Sequence, residues 1–174
     1  MSGTNLGGGT FVGLGRLLTG CTSFDELLEL SRQGDNTKVD MLVGDIYGGD
    51  YSHIGLASTT IASSFGKVTA RLHDDGMAAG GGGNAPSRAD IALSLVRMIS
   101  YNIGHIAYLN AMQYGLKRIL FGGYFLRGNA YTMDTISFAI RFWSKGNMKA
   151  MFLRHEGFLG ALGAFLKSAG VAPD

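Results

Sequence analysis

A chain of 174 residues with 46% hydrophobic and 16% charged content can bury one real core and is too apolar to stay disordered. Its net charge of +2, carried by scattered basic residues, provides neither a nucleic-acid groove nor a polybasic membrane anchor. The single cysteine, Cys21, excludes an internal disulfide, and with His53, His73, His105 and His155 widely spaced it builds no metal site.

No apolar run reaches the roughly 18 residues that a bilayer span needs, and the opening Met-Ser-Gly-Thr-Asn has neither a basic nor an apolar export region. A cytosolic protein in a reducing compartment is expected, with no membrane and no nucleic-acid partner. Glycine is abundant, at 28 residues against two prolines, and sits largely in turns between periodic segments.

The chain opens on Gly3-Thr4-Asn5-Leu6-Gly7-Gly8-Gly9-Thr10-Phe11, followed by a helical pattern through Leu14, Leu17 and Leu18 that ends at Thr19-Gly20. Three glycines before a helix can take positive φ and leave N–H groups bare, and the helix N-terminus adds partial positive charge at the same spot. Thr4 and Thr10 flank the turn with hydroxyls that bond phosphate oxygens or cap the helix. The stretch reads as a phosphate cradle or as a close helix packing. It is neither a Walker A loop nor a Gly-x-Gly-x-x-Gly fingerprint.

Ser23 and Glu26 form a capping box before Phe24, Leu27, Leu28 and Leu30, which predicts a helix to Gly34. After Asp35-Asn36-Thr37, helical spacing of Val39, Leu42, Val43 and Ile46 predicts another helix, stopped by Tyr47-Gly48-Gly49-Asp50. Asp45 and Asp50 flank that turn, as solvated turn acids or as a metal or base pair. Ile61-Ala-Ser-Ser-Phe-Gly66 fits a ligand-side loop, a strand end or a packed connector. From Val68 to Pro86 the composition turns to acids, alanine and Gly80–Gly83, which predicts a mobile surface loop without phosphate-binding character.

Ser87 and Asp90 open the longest predicted helix, whose apolar stripe runs through Ile91, Leu95, Met98 or Ile99, Ile103, Ile106 and Leu109 or Ala107 to about Tyr114, with Arg97, Asn102 and His105 on the other face. Lys117–Phe121 reads as a core strand ending in Gly122-Gly123. In open α/β sheets ligands sit at the carboxyl ends of strands, where Arg127 reaches a phosphate or pairs with an acid. A helix from Thr132 to Phe142 closes at Trp143-Ser-Lys-Gly146, and Lys149–Leu153 is a second strand. Arg154-His155-Glu156 follows; adjacent His155 and Glu156 point apart, which disfavours a concerted acid–base pair. Gly157, Gly160 and Gly163 give the last helix one thin face, expected to pack closely on a strand.

Gly3-Thr-Asn-Leu-Gly-Gly-Gly-Thr-Phe11, Leu18-Thr-Gly-Cys-Thr22, Asp45-Ile-Tyr-Gly-Gly-Asp-Tyr51, Ala62-Ser-Ser-Phe-Gly66, Phe142-Trp-Ser-Lys-Gly146 and His155-Glu-Gly157, in this order, closely resemble the C-terminal half of eukaryotic-type (type II) pantothenate kinases. The likeness covers nearly all the chain outside 68–86. It implies an α/β fold, the C-terminal lobe of an actin-like ATPase (acetate and sugar kinase) fold with the N-terminal strands missing, and one domain part over 1–174 with a flexible insert at about 68–86. It also implies ATP- and Mg²⁺-dependent phosphorylation of pantothenate, the first step of coenzyme A synthesis, inhibition by acyl-CoA, and a homodimer.

Carried over by position, the resemblance places Gly3, Thr4, Gly7, Gly8, Gly9 and Thr10 in a second phosphate loop and Gly122, Gly123 and Arg127 at the nucleotide. It turns the Ser87–Tyr114 helix toward the partner subunit, and it sets Trp143 at the pantetheine pocket for substrate or acyl-CoA across that interface. The family's first phosphate loop, catalytic glutamate and acyl-CoA-binding arginine are expected upstream of Gly3. Phe121-Gly-Gly-Tyr-Phe-Leu-Arg-Gly128 and Leu153-Arg-His-Glu-Gly157 resemble the pantothenate kinase 4-like branch, which often carries a C-terminal phosphatase domain and whose animal members look catalytically dead. The implied alternative is a non-catalytic regulatory or scaffold subunit.

Overall fold

The computed structural model describes residues 3–69, 85–153 and 156–170, and the chain divides into two compact units. Both mix helix and short strands, each with one two-stranded sheet.

The first unit, Gly9–Ile99, holds most of α1 (Gly8–Thr19), α2 (Phe24–Ser31), a 3-10 turn at Asn36–Lys38, β1 (Met41–Leu42), α3 (Val43–Tyr47), a 3-10 turn at Ser52–Ile54, β2 (Ile61–Ser63) and the start of α4 (Arg88–Gln113). Ser23 caps α2 as expected, its hydroxyl accepting from Glu26 N–H at 3.1 Å, while the Glu26 carboxylate reaches one residue further back than a capping box, to Thr22 N–H at 2.8 Å. This helix stops at Ser31, short of Gly34. Phe11 is fully buried, with its ring edge-on to Phe24 at 5.6 Å, and fully burying such a side chain is worth about 1.5–3 kcal/mol. Gly15 makes room for Leu27, since a β-carbon there would meet Leu27 Cδ2 at 2.0 Å.

The helix expected from Val39 to Ile46 is instead a strand followed by a short helix. Met41 and Leu42 pair antiparallel with Ser63 and Ile61, and only Val43–Tyr47 is helical. A fully buried Asp40 carboxylate overrides the local periodicity. It accepts from Phe65 N–H at 3.0 Å, from Asn36 Nδ2 at 2.8 Å and from the Ser94 hydroxyl, while Arg97 donates to Asn36 Oδ1 at 2.6 Å. A buried carboxylate costs heavily unless such donors surround it, so the 36–41 and 63–65 segments are drawn onto α4. Ile61–Gly66 resolves into strand β2 and a turn with Phe65 at φ 60°.

Residues 66–69 are helical, and the rest of the loop expected over 68–86 lies outside the described residues up to 84. The α4 capping box is reciprocal: Asp90 N–H donates to the Ser87 hydroxyl at 3.1 Å, and Ser87 N–H donates to the Asp90 carboxylate at 2.8 Å.

The second unit, Met1–Gly8 with Ser100–Asp174, holds the end of α4, β3 (Arg118–Phe121), α5 (Ala130–Trp143), β4 (Lys149–Phe152) and α6 (Glu156–Ser168). β3 and β4 run parallel in the register Arg118↔Lys149 to Phe121↔Phe152, with α5 as the crossover and packed on β4. The predicted strands and the helix between them are therefore present. Helix α6 departs from expectation. A β-carbon on Gly157, Gly160 or Gly163 would meet no atom within 4 Å, and residues 157–168 are exposed, so its thin face packs on no strand among the described residues.

Candidate functional site

The opening glycines do not all serve one purpose. None of Gly7, Gly8 and Gly9 takes a positive φ; Gly8 and Gly9 already lie in the first turn of α1. A β-carbon on Gly8 would sit 3.3 Å from Phe125 Cβ, so glycine there permits a close approach. Around Gly3, Gly7 and Gly9 the same construction meets nothing within 4 Å, so space is left beside their α-carbons. The expected hydroxyl role of Thr4 is local, since its Oγ1 accepts from Leu6 N–H at 3.1 Å, and Thr10 lies in the first turn of α1.

Phe125 belongs to the bend that leaves the carboxyl end of β3. Leu126 N–H bonds Gly123 O at 3.0 Å, Arg127 N–H bonds Tyr124 O at 3.2 Å, and Asn129 then caps α5 by accepting from Tyr131 N–H at 3.1 Å. Gly123 sits at φ 120° with open space around its α-carbon, a conformation that other residues rarely adopt. Arg127 is exposed and makes no ion pair among the described residues. The contact of Gly8 with Phe125 thus brings the start of α1 to the bend after Gly122-Gly123, with the N-terminus of α5 at the end of the same bend.

The sequence reading gave Phe125, Asn129 and Thr132 no part in the site. The Thr132 hydroxyl is fully buried beside Phe125 O at 3.3 Å and Asn129 O at 3.1 Å, and so ties the bend to α5. Asn directly ahead of a helical run is an N-cap signal that could have marked the helix start at Ala130.

The two acids considered for base or metal work have structural partners. Lys67, 2.7 Å away, and then Leu42 N–H hold the Asp45 carboxyl below its ordinary range. Ser58 N–H, at 2.7 Å, does the same for Asp50. They are turn acids. No group of three or more His, Cys, Asp or Glu residues that could hold a metal ion occurs among the described residues. His155 lies outside them.

Trp143 ends α5, is 42% exposed, and stacks on His105 of α4 with ring centroids 4.2 Å apart. No helix among the described residues is long and apolar enough to cross a membrane.

The family model described as Fumble matches residues 1–167, and the chain belongs to the Fumble family. It is 70% identical to "Pantothenate kinase 2" of Oryza sativa subsp. japonica over 167 residues, covering 95% of this chain and 18% of that protein. It is 67% identical to "Pantothenate kinase 1" of Arabidopsis thaliana, covering 95% of this chain and 41% of the relative. It is also 50% identical to a Mus musculus protein named "4'-phosphopantetheine phosphatase", over 97% of this chain and 19% of that one. The chain therefore spans less than half the length of these relatives, in a family that includes pantothenate kinases.

Proposed function

We propose that this chain is the nucleotide-binding and dimer-forming part of a pantothenate kinase, which transfers the γ-phosphoryl group of ATP to pantothenate and gives 4'-phosphopantothenate, the first step of coenzyme A synthesis. The observation that carries the reading is the contact of Gly8 with Phe125, because it joins the two glycine-bearing bends within one unit. It is supported by the names of the plant relatives. The architecture proposed is the C-terminal lobe of an actin-like ATPase fold.

Phosphoryl transfer rests on positioning and on donors aimed at the phosphate oxygens. In this reading Gly3, Thr4, Gly7, Gly8, Gly9 and Thr10 present backbone N–H groups and hydroxyls to the phosphates at the start of α1, where the helix dipole favours an anion. The space beside the α-carbons of Gly3 and Gly9 lets the phosphates approach. Gly122 and Gly123 lie at the same nucleotide, and the exposed Arg127 reaches one of its phosphates. Mg²⁺ enters with ATP as part of the substrate. The catalytic carboxylate is assigned to no residue of this chain. Trp143 borders the pantetheine pocket for substrate or acyl-CoA in a homodimer formed through α4.

A second reading, a regulatory or scaffold subunit of the pantothenate kinase 4-like branch, draws on the phosphatase name of the mouse relative. Titration calorimetry separates the two. The kinase reading expects MgATP to bind the chain and Gly9→Val to abolish that binding; the scaffold reading expects pantetheine or acyl-CoA to bind while MgATP does not.

A further inference from the structure

We propose that His105 is a positioning residue for Trp143, fixing the indole in the orientation in which it meets the pantetheine arm of a ligand; this rests on the reading of Trp143 as a pocket residue. The indole needs such a partner. Trp143 is the last residue of α5, and the chain unwinds directly after it through Lys145 at φ 51° and Gly146 at φ 83°. Its face is covered by the His105 imidazole, inclined by 21° at 4.2 Å, and Phe142 meets it only edge-on at 5.2 Å. Flat stacking of this kind restricts an aromatic ring beyond what burial alone achieves.

The helix seam sets the distance. A β-carbon on Gly104, the residue before His105, would lie 2.6 Å from Ala139 Cβ, so α4 and α5 touch nearly backbone to backbone one turn before Trp143. Tyr101 and Phe138 continue the seam on the other side at 6.0 Å. Glycine at 104 thus brings the helices close enough for a ring on α4 to lie flat on a ring at the end of α5.

Trp143 is the single tryptophan of the chain, so tryptophan emission reports the surroundings of this one indole. His105→Ser is expected to lower the anisotropy of that emission, to raise its quenching by acrylamide, and to weaken pantetheine binding by about three- to tenfold, the scale of one lost aromatic stack. His105→Phe restores a flat ring and should recover all three. Calorimetry with pantetheine on the 174-residue chain provides the binding arm. Unchanged anisotropy, quenching or affinity in His105→Ser, or failure of His105→Phe to recover them, overturns the proposal while leaving the pocket reading in place if Trp143→Ala weakens binding. No pantetheine binding to the wild-type chain, or unchanged affinity in Trp143→Ala, overturns the pocket reading and the role of His105 with it.

Discussion

Gly8 rests on Phe125, with room for no more than a tight β-carbon at 3.3 Å, whereas its neighbour Gly9 faces open space. Two adjacent glycines of one helix start are therefore glycine for different reasons. Gly8→Val should cost about 1–3 kcal/mol of stability through overpacking. Gly9→Ala should gain up to about 1 kcal/mol, because alanine is the better helix former. Urea unfolding of the two variants beside the wild type measures both; a Gly8→Val chain as stable as the wild type would remove the contact from the account.

A second pair of glycines separates packing from exposure in the same way. A β-carbon on Gly34 would fall 2.2 Å from the backbone carbonyl oxygen of Ala89, which cannot rotate aside, so Gly34→Ala should cost about 3 kcal/mol. Gly160→Ala, in exposed α6, should stabilise that helix by about 0.5–1 kcal/mol. Thermal unfolding checks the first, and amide hydrogen exchange across 157–168 checks the second.

Acid should weaken the fold through a defined set of carboxylates. Burial pushes the Asp90 carboxyl up, but the N–H groups of Asp35 and Ser87, the Ser87 hydroxyl and the Lys38 ammonium together outweigh it and leave it below its ordinary value. Glu26, held first by Thr22 N–H, Asp45 and Asp50 are lowered as well. A carboxyl lowered by folding contributes stability that is present above its unfolded pKa of about 3.9–4.3 and is lost as the pH falls through its folded value. The melting temperature should therefore fall steeply below about pH 4. Asp90→Asn should be less stable at pH 7 by about 1–3 kcal/mol and show a shallower acid slope. An equal slope in Asp90→Asn would show that Asp90 does not contribute.

How far the chain could be read in advance depended on how local the cause was. The Ser23 cap, the Ser87/Asp90 capping box, the β3–α5–β4 run and the Gly122-Gly123 bend were legible, because each is decided by residues a few positions apart. Asp40 was not: its partners Phe65 and Ser94 lie 25 and 54 residues away, and their hydrogen bonds turn an expected helix into β1. Likewise the spacing of Gly157, Gly160 and Gly163 showed a thin face but carried no information on what covers it. At the candidate site the glycines were legible by type, while the pairing of Gly8 with Phe125 and of His105 with Trp143 required the fold.

Self-association is expected through exposed apolar side chains. Leu109 and Met112 near the end of α4 and Tyr114 just past it are at 42%, 52% and 66% exposure, and Phe158 and Phe165 on α6 are at 68% and 65%. Large exposed apolar groups are candidates for association surfaces. Under the proposed α4 dimer, Leu109→Lys with Met112→Lys should shift the chain toward monomer in sedimentation velocity, while Phe158→Asp with Phe165→Asp leaves the dimer in place. A wild-type chain that sediments as a monomer would contradict the dimer.

The central claim is that the start of α1 and the bend after β3 hold one nucleotide. Its most direct test is calorimetric titration of MgATP into the wild-type chain, Gly9→Val and Arg127→Ala, each checked for an intact fold by circular dichroism. Saturable binding by the wild type, lost in Gly9→Val and weakened about tenfold or more in Arg127→Ala, as loss of a charge-assisted phosphate contact requires, is the expected result. No binding by the wild type, or equal affinity in all three chains, would contradict it.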